Sequence, residues 1–314
     1  MSRSQPRPNA AVEWWWLGSG VALVLIPLAA FITRWGAIRA SHPAYGLLLS
    51  LVALLGLLST WRGVGRAARG GSRSRVVTRI ALIALVVVLG GLSWSLRPLP
   101  ATEIGVAALT DDPRVTVNQT STRISLNPTQ EVQPVRLVFY PGGLVDPRGY
   151  ANILRPIAEA GYPVTIVKPP LGFAFLARGS AADLAASQTT VVGGHSLGGV
   201  TAALDVGDDT LIDGLLLWAA FPAESLADRG GLEALSIYGS EDGLTTPTKV
   251  AESVTDLPPS TTYVEVIGAV HSHFGDYGVQ RGDGTPALSR AEAQSQIVGA
   301  TLDFLDNLSR RVGS

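Results

Sequence analysis

Three long uncharged stretches dominate the first hundred residues. They cover residues 14–33, 43–61 and 80–96. A helix needs about 20 apolar residues to cross a bilayer, with a range of roughly 17 to 25. None of the stretches has a polar face to turn toward water, which argues against helices buried in a soluble core. The pattern therefore predicts three transmembrane helices, and a cleaved signal peptide over the first would still leave two.

The arginines predict how these helices are oriented. Six lie between the second and third stretches and two precede the first, whereas the loop between the first two stretches holds only two. Loops rich in Arg face the cytoplasm. We therefore expect a multi-pass protein of the plasma membrane, surrounded by membrane lipids, with everything after Arg97 outside the cytoplasm.

After residue 97 the pattern changes to short β-like and helical stretches that alternate. A stiff Pro-Leu-Pro-Ala linker at residues 98–101 marks the change, so we divide the chain into a membrane anchor, residues 1–97, and a globular domain, residues 98–314. The predicted strands are residues 114–117, 122–126, 135–140, 164–167, 189–192, 211–218, 234–238 and 263–267, and the predicted helices are 150–159, 181–186, 200–204 and 291–308. Such alternation predicts an α/β domain, a mostly parallel sheet with helices on both faces.

Charge and composition exclude several kinds of function. The first hundred residues carry eleven Arg against the single acid Glu13, and the remainder carries 13 basic and 24 acidic residues. Nucleic acid is therefore not an expected partner, because an acidic domain repels phosphates. The absence of cysteine excludes disulfides, a thiolate nucleophile and thiolate metal sites. We expect neither a metal nor an organic cofactor.

One Gly-x-Ser-x-Gly motif lies at residues 194–198, within Gly-Gly-His-Ser-Leu-Gly-Gly. A β-branched stretch precedes it and a helix-compatible stretch follows. This context is typical of a serine on a sharp strand-to-helix turn, where glycines leave room for crowded backbones. Ser196 is the predicted nucleophile, and the N–H of Leu197 is aimed at the developing oxyanion. The alternative is a glycine turn without a catalytic role.

Only four histidines can serve as the base. His42 lies between the first two apolar stretches, where an interfacial role is expected, and His195 adjoins the nucleophile and should point away from it. His271 and His273 follow the last predicted strand, which agrees with the chain order of serine, acid and histidine in hydrolases of this kind. Their spacing does not decide between them.

The acid should follow the preceding predicted strand, residues 234–238. Asp242 is the preferred residue and Glu241 the second choice, because a buried carboxylate must hold the base in one tautomer. The alternative is an aspartate that only stabilises an Asp-Gly turn.

A second oxyanion donor is expected in the loop after residue 140. Pro141 has no N–H, so Gly143 is the better donor, with Leu144 close behind. The alternative is an ordinary Pro-Gly β-turn.

These motifs together resemble α/β-hydrolases near the dienelactone-hydrolase branch. The similar stretches are residues 140–143, 167–176, 193–199, 217–222, 237–243 and 271–278. The resemblance covers roughly residues 130–310 and implies an α/β-hydrolase fold with Ser196 as nucleophile, Asp242 as acid and His271 as base. The chain has His273 where the family pattern usually has Gln.

The expected function is hydrolysis of a carboxylic ester by a membrane-anchored serine hydrolase, acting on a small-molecule or lipid ester through an acyl-enzyme. The alternatives are an acyltransferase or thioesterase with the same triad, and a non-catalytic membrane-tethered binding protein. The apolar residues 171–176 are compatible with an acyl-binding wall or a buried packing loop, and the short connection at residues 220–232 leaves no room for a large cap.

Overall fold

The computed structural model describes residues 13–65, 72–185 and 188–312. The chain folds as two units, residues 1–38 with 44–97 and residues 39–43 with 98–314. Some predicted features lie outside the described residues: Arg3, Arg7, Arg66 and Arg69, which contribute to the predicted orientation, and residue 186 of a predicted helix.

The first unit is helical. Its elements are α1 (Trp14–Thr33), α2 (Trp35–Ala40), α3 (Ala44–Gly65), α4 (Ser72–Leu85), a π-helical turn (Val86–Gly90) and α5 (Gly91–Ser95). Three helices are long and apolar enough to cross a membrane, Trp14–Thr33, Ala44–Val64 and Arg75–Ser95, as predicted. The third begins earlier than expected, because the uncharged stretch excludes Arg79 while the helix continues through it.

Small residues bring α1 and α3 together. A Cβ atom on Gly20 would lie 2.6 Å from the carbonyl oxygen of Gly56, and one on Gly56 would lie 2.8 Å from the carbonyl oxygen of Gly20. Apolar helices rely on such close backbone packing, since lipid supplies no hydrophobic force between them. The Tyr45 hydroxyl also donates to the Ser93 carbonyl at 2.6 Å, which joins α3 to α5.

The second unit is built on one eight-stranded sheet in the order β1-β2-β4-β3-β5-β6-β7-β8. The strands are β1 (Val115–Gln119), β2 (Arg123–Pro128), β3 (Val135–Tyr140), β4 (Val164–Val167), β5 (Thr189–His195), β6 (Gly214–Trp218), β7 (Glu233–Gly239) and β8 (Thr262–Val266). β1 and β2 are antiparallel, and β3 to β8 are parallel. The predicted mostly parallel sheet is confirmed.

Helices and short 3-10 turns connect the strands. The α-helices are α6 (Glu103–Ala107), α7 (Ala151–Glu159), α8 (Ala182–Ala185), α9 (Leu197–Asp208), α10 (Pro247–Glu252) and α11 (Arg290–Val312). The 3-10 turns are Pro147–Tyr150, Pro170–Gly172, Ala174–Ala177, Val254–Asp256 and His271–Phe274.

Alternate residues of the strands enter two hydrophobic cores. In β6, Leu216 and Trp218 pack with residues of α7 and α11, whereas Leu215 and Leu217 belong to the core that includes α9. This is why β6 has no polar position: a parallel strand covered on both faces is buried along its whole length. Helices therefore cover both faces of the sheet, as predicted.

The parallel strands all end at one edge of the sheet. Ligands of open α/β sheets bind outside the carboxyl ends of the strands. The segments that follow β3, β4, β5, β7 and β8 therefore gather at this edge, and they contain every residue predicted to take part in catalysis.

Candidate active site

Ser196 occupies a strained turn between β5 and α9. Its φ is 54° and its ψ is −122°, a region that costs a non-glycine residue roughly 1–3 kcal/mol. Its N–H donates to the Trp218 carbonyl at 3.0 Å. The flanking glycines cannot be replaced, because a Cβ on Gly194 would lie 2.3 Å from the backbone of Gly198 and one on Gly198 would lie 2.0 Å from the carbonyl oxygen of Tyr140.

Asp242 and His271 form a buried pair. Oδ2 of Asp242 lies 2.8 Å from Nδ1 of His271, and both side chains are fully buried. The other carboxylate oxygen, Oδ1, accepts the N–H groups of Leu244 and Thr245 at 2.8 and 2.7 Å. Both oxygens therefore have partners, and the carboxylate can turn only by breaking these bonds. Glu241 is exposed, and its Oε1 accepts a hydrogen bond from the hydroxyl of the adjacent Ser240.

The remaining nitrogen of His271 is free. Nε2 is buried and has no hydrogen-bond partner among the described residues. An ionised carboxylate only accepts hydrogen bonds, so we assign the proton of the neutral ring to Nδ1. Nε2 then carries a lone pair and can accept a proton.

His273 has a different environment. It is buried, and no contact joins it to Asp242, whose two oxygens are already occupied. Burial and the nearby Arg290 lower the pKa of His273, while Asp283 acts in the opposite direction. The structure thus brings together Asp242 and His271 and leaves His273 outside the pair.

The loop after β3 offers one backbone N–H for an oxyanion. The Gly142 N–H donates to the Tyr150 hydroxyl at 2.9 Å, and the Leu144 N–H donates to the Gly172 carbonyl at 2.8 Å. Gly143 and Leu197, by contrast, donate to no partner within the described part of the chain. Of the two predicted loop donors, Leu144 is therefore already used and Gly143 is available.

Tyr150 connects this loop to the nucleophile turn. Its hydroxyl lies 2.8 Å from Nδ1 of His195 and accepts the Gly142 N–H, so its own proton points to His195. Burial raises the pKa of Tyr150, and the Gly142 N–H partly offsets this. Burial, followed by the charge of His271, lowers the pKa of His195 well below 6.5 and keeps this ring neutral.

Two ionic side chains hold the segment that carries His271. Asp283 accepts the N–H groups of His271 and Ser272 on separate oxygens, at 2.9 and 2.8 Å. The guanidinium of Arg290 donates to the carbonyls of Ser272 and Gly275. Burial alone would raise the pKa of Asp283, but these N–H groups and that of the following glycine outweigh it, and the pKa is lowered.

Sequence reasoning missed Tyr150, Asp283 and Arg290 as parts of the site. Tyr150 comes just before α7, Asp283 follows a turn at residues 281–282, and Arg290 is the first residue of α11. Sequence spacing does not indicate which residues these three side chains contact, because the contacts join separate segments of the chain. Within the described residues no cluster of three or more His, Cys, Asp or Glu side chains is arranged to hold a metal.

A family model described as the alpha/beta hydrolase family matches residues 136–296. The chain belongs to the α/β-hydrolase family. The match begins in β3 and ends in α11, so it includes every residue of the candidate site in this hydrolase. No curated protein matches the sequence.

Several solved structures are similar to the hydrolase. A Thermus thermophilus protein is 16% identical with a TM-score of 0.46, and the match covers 61% of this chain and 98% of that one. A dienelactone-hydrolase-like promiscuous phosphotriesterase from metagenomic libraries is 14% identical with a TM-score of 0.46, over 59% and 92% of the two chains. A ferulic acid esterase from Streptomyces cinnamoneus is 18% identical with a TM-score of 0.43, over 58% and 69%. The phosphotriesterase and ferulic acid esterase activities belong to those two proteins.

Proposed function

We propose that this protein is a membrane-anchored serine hydrolase that cleaves carboxylic esters with Ser196, His271 and Asp242. The observation that carries the proposal is the buried His271 ring, whose Nδ1 is held by Asp242 while Nε2 has no partner among the described residues. A base needs this arrangement, because an acceptor nitrogen must be kept unprotonated and oriented.

In the proposed reaction, Oγ of Ser196 attacks the ester carbonyl carbon and its proton moves to Nε2 of His271. The N–H groups of Gly143 and Leu197 donate hydrogen bonds to the oxyanion that forms. The intermediate collapses when the leaving alkoxide takes the proton from Nε2. Water then attacks the acyl-enzyme and loses its proton to the same nitrogen, which passes the proton to Oγ of Ser196 as the bond to the acyl carbon breaks and the acid is released. Asp242 stabilises the imidazolium at both stages.

The strained turn at Ser196 supports the nucleophile assignment. A left-handed φ at a serine is unfavourable and persists only where surrounding structure enforces it, as at functional sites. The buried neutral ring of His195 fits the same scheme, since a second imidazolium beside His271 would oppose protonation of the base.

The localisation is also a proposal. The three apolar helices support an integral membrane protein, and the distribution of arginines supports a hydrolase unit outside the cytoplasm. The plasma membrane is the proposed compartment, with membrane lipids around the helices.

A fluorophosphonate probe on the full-length protein tests the nucleophile. Wild type should be labelled and Ser196→Ala should not. The matched control is Ser225→Ala, which removes an exposed hydroxyl that accepts only the Ala227 N–H and should leave labelling unchanged. Equal labelling of wild type and Ser196→Ala, or no labelling of wild type, would contradict the proposal.

A further inference from the structure

The segment that follows β4 lies beside the candidate oxyanion loop. The order β4-β3-β5 places the ends of these strands side by side at the carboxyl edge, with the loop after β3 between this segment and Ser196. The Gly172 carbonyl accepts the Leu144 N–H at 2.8 Å, so the two loops are joined directly next to Gly143. We name residues 171–176 the apolar loop.

The backbone of the apolar loop is held in place. Leu171 has a φ of 54° and Leu144 a φ of 58°, both in the left-handed region. A Cβ on Gly172 would lie 3.0 Å from the α-carbon of Leu144, which leaves no space between the loops. Just after the loop, the Gly179 N–H donates to the buried Asp205 carboxylate at 3.0 Å. The loop therefore cannot move into the core without breaking these contacts.

Two adjacent side chains of this fixed loop are exposed. Phe175 is 49% and Leu176 47% exposed, and the rings of Phe173 and Phe175 have centroids 5.5 Å apart. Phe175 is the one large aromatic side chain this exposed in the described part of the second unit. Isolated exposed apolar residues need no explanation, whereas a contiguous apolar patch marks an interaction site or a ligand-binding groove. Of the two alternatives for this loop, a buried packing loop therefore does not describe Phe175 and Leu176.

The strand order also indicates which part of an ester this surface contacts. Asp242 and His271 follow β7 and β8, on the opposite side of Ser196 from β4. The leaving oxygen must lie next to His271, because it takes a proton from Nε2. The acyl chain then points to the other side of Ser196, toward the apolar loop.

We propose, on the basis of the proposed function, that the apolar loop is an acyl-binding wall and that the substrate is an ester with a long alkyl acyl chain. The carbonyl carbon lies at Ser196, and the methylenes extend from Gly143 along Phe175 and Leu176. Such esters reside in lipid phases, where the three apolar helices would hold the enzyme.

The test is the chain-length dependence of kcat/KM for full-length protein in lipid nanodiscs, with p-nitrophenyl acetate, butyrate, hexanoate and octanoate. Complete burial of a methylene corresponds to about fourfold in affinity, so an open wall should give about twofold per methylene and roughly sixtyfold over the six methylenes from acetate to octanoate. Phe175→Ser combined with Leu176→Ser should lower the octanoate-to-acetate ratio about tenfold. Leu211→Ser, 56% exposed on the turn before β6 at the opposite end of the strands, should keep the wild-type ratio.

The outcomes separate the two proposals. Acetate hydrolysis that requires Ser196, with no gain for longer chains or with an unchanged ratio in the double variant, overturns the acyl wall and leaves the serine hydrolase standing. No Ser196-dependent hydrolysis of any ester overturns both. If the double variant unfolds, Phe175→Ser and Leu176→Ser are measured singly, and each should lower the ratio about threefold.

Discussion

The carboxylate of Asp242 lies 2.8 Å from Nδ1 of His271, and neither side chain is exposed to solvent. The two residues belong to different loops, after β7 and β8, which meet because these strands are parallel neighbours. A histidine held in this way keeps its second nitrogen available. The contacts around this pair give each nearby side chain a specific role. Substitution of that side chain tests the role.

Asp242→Asn should lower kcat for a p-nitrophenyl ester about 10⁴-fold, because an amide donor facing Nδ1 favours the tautomer with the proton on Nε2. Glu241→Gln is the matched control and should stay within about twofold, since Glu241 is exposed and its carboxylate bonds only to the Ser240 hydroxyl among the described residues. The assignment of the acid is wrong if Glu241→Gln is the more damaging change.

His271→Ala should lower turnover at least about a thousandfold, as loss of a triad member does. His273→Gln should stay within about tenfold, because His273 has no bond to the acid and transfers no proton. Steady-state kinetics of both variants show which histidine is the base. Circular dichroism establishes that each variant is folded. The opposite ranking would move the base to His273.

Tyr150→Phe should leave the Gly142 N–H and Nδ1 of His195 without a partner in the protein interior. A buried unpaired polar group costs about 1–3 kcal/mol, and the unanchored loop should also lower kcat about tenfold. Tyr277→Phe is the control, because its hydroxyl bonds only to Gln280, at 3.2 Å. Thermal unfolding and kcat are measured on both variants, and equal effects would argue against a positioning role for Tyr150.

Acid should destabilise the hydrolase unit through His195. The pKa of His195 in the folded protein lies well below 6.5, the ordinary value for histidine. At pH values between the folded pKa and 6.5, the unfolded chain therefore binds a proton that the folded protein does not bind. The contribution of His195 to the free energy of unfolding is therefore constant above about pH 7 and falls as the pH drops below 6.5, by up to about 1.4 kcal/mol per pH unit. His273 contributes in the same direction.

His195→Gln tests this contribution, since the amide oxygen can still accept the Tyr150 proton. The variant should lose less stability than wild type between pH 6.5 and 5, measured as the shift in unfolding midpoint. If the variant and wild type lose stability equally as the pH falls, His195 is not the source of the pH dependence.

Protease added to intact cells should digest the region after Pro98, because the distribution of arginines predicts that this region lies outside the cytoplasm. A reporter that is active only in the cytoplasm should be inactive when it is fused after Ser314. An active reporter there would reverse the orientation.

The sequence by itself determined the local elements. The strands Val135–Tyr140 and Val164–Val167 begin and end where predicted, because hydrophobic runs bounded by proline and glycine need no tertiary information. The helix after Ser196 is longer than predicted, Leu197–Asp208 instead of residues 200–204, since glycines at its start weaken the helical pattern while packing against β5 and β6 stabilises it.

Only the tertiary structure decided which groups meet. Sequence spacing left His271 and His273 equivalent, and the difference between them is the Asp242 carboxylate, 29 residues away from His271. Likewise, the availability of the Gly143 N–H depends on Tyr150 and Gly172, which occupy the N–H groups on either side of it. Hydrophobic periodicity is set by neighbours along the chain, whereas hydrogen-bond partners from separate loops are set by the order of the strands that deliver them.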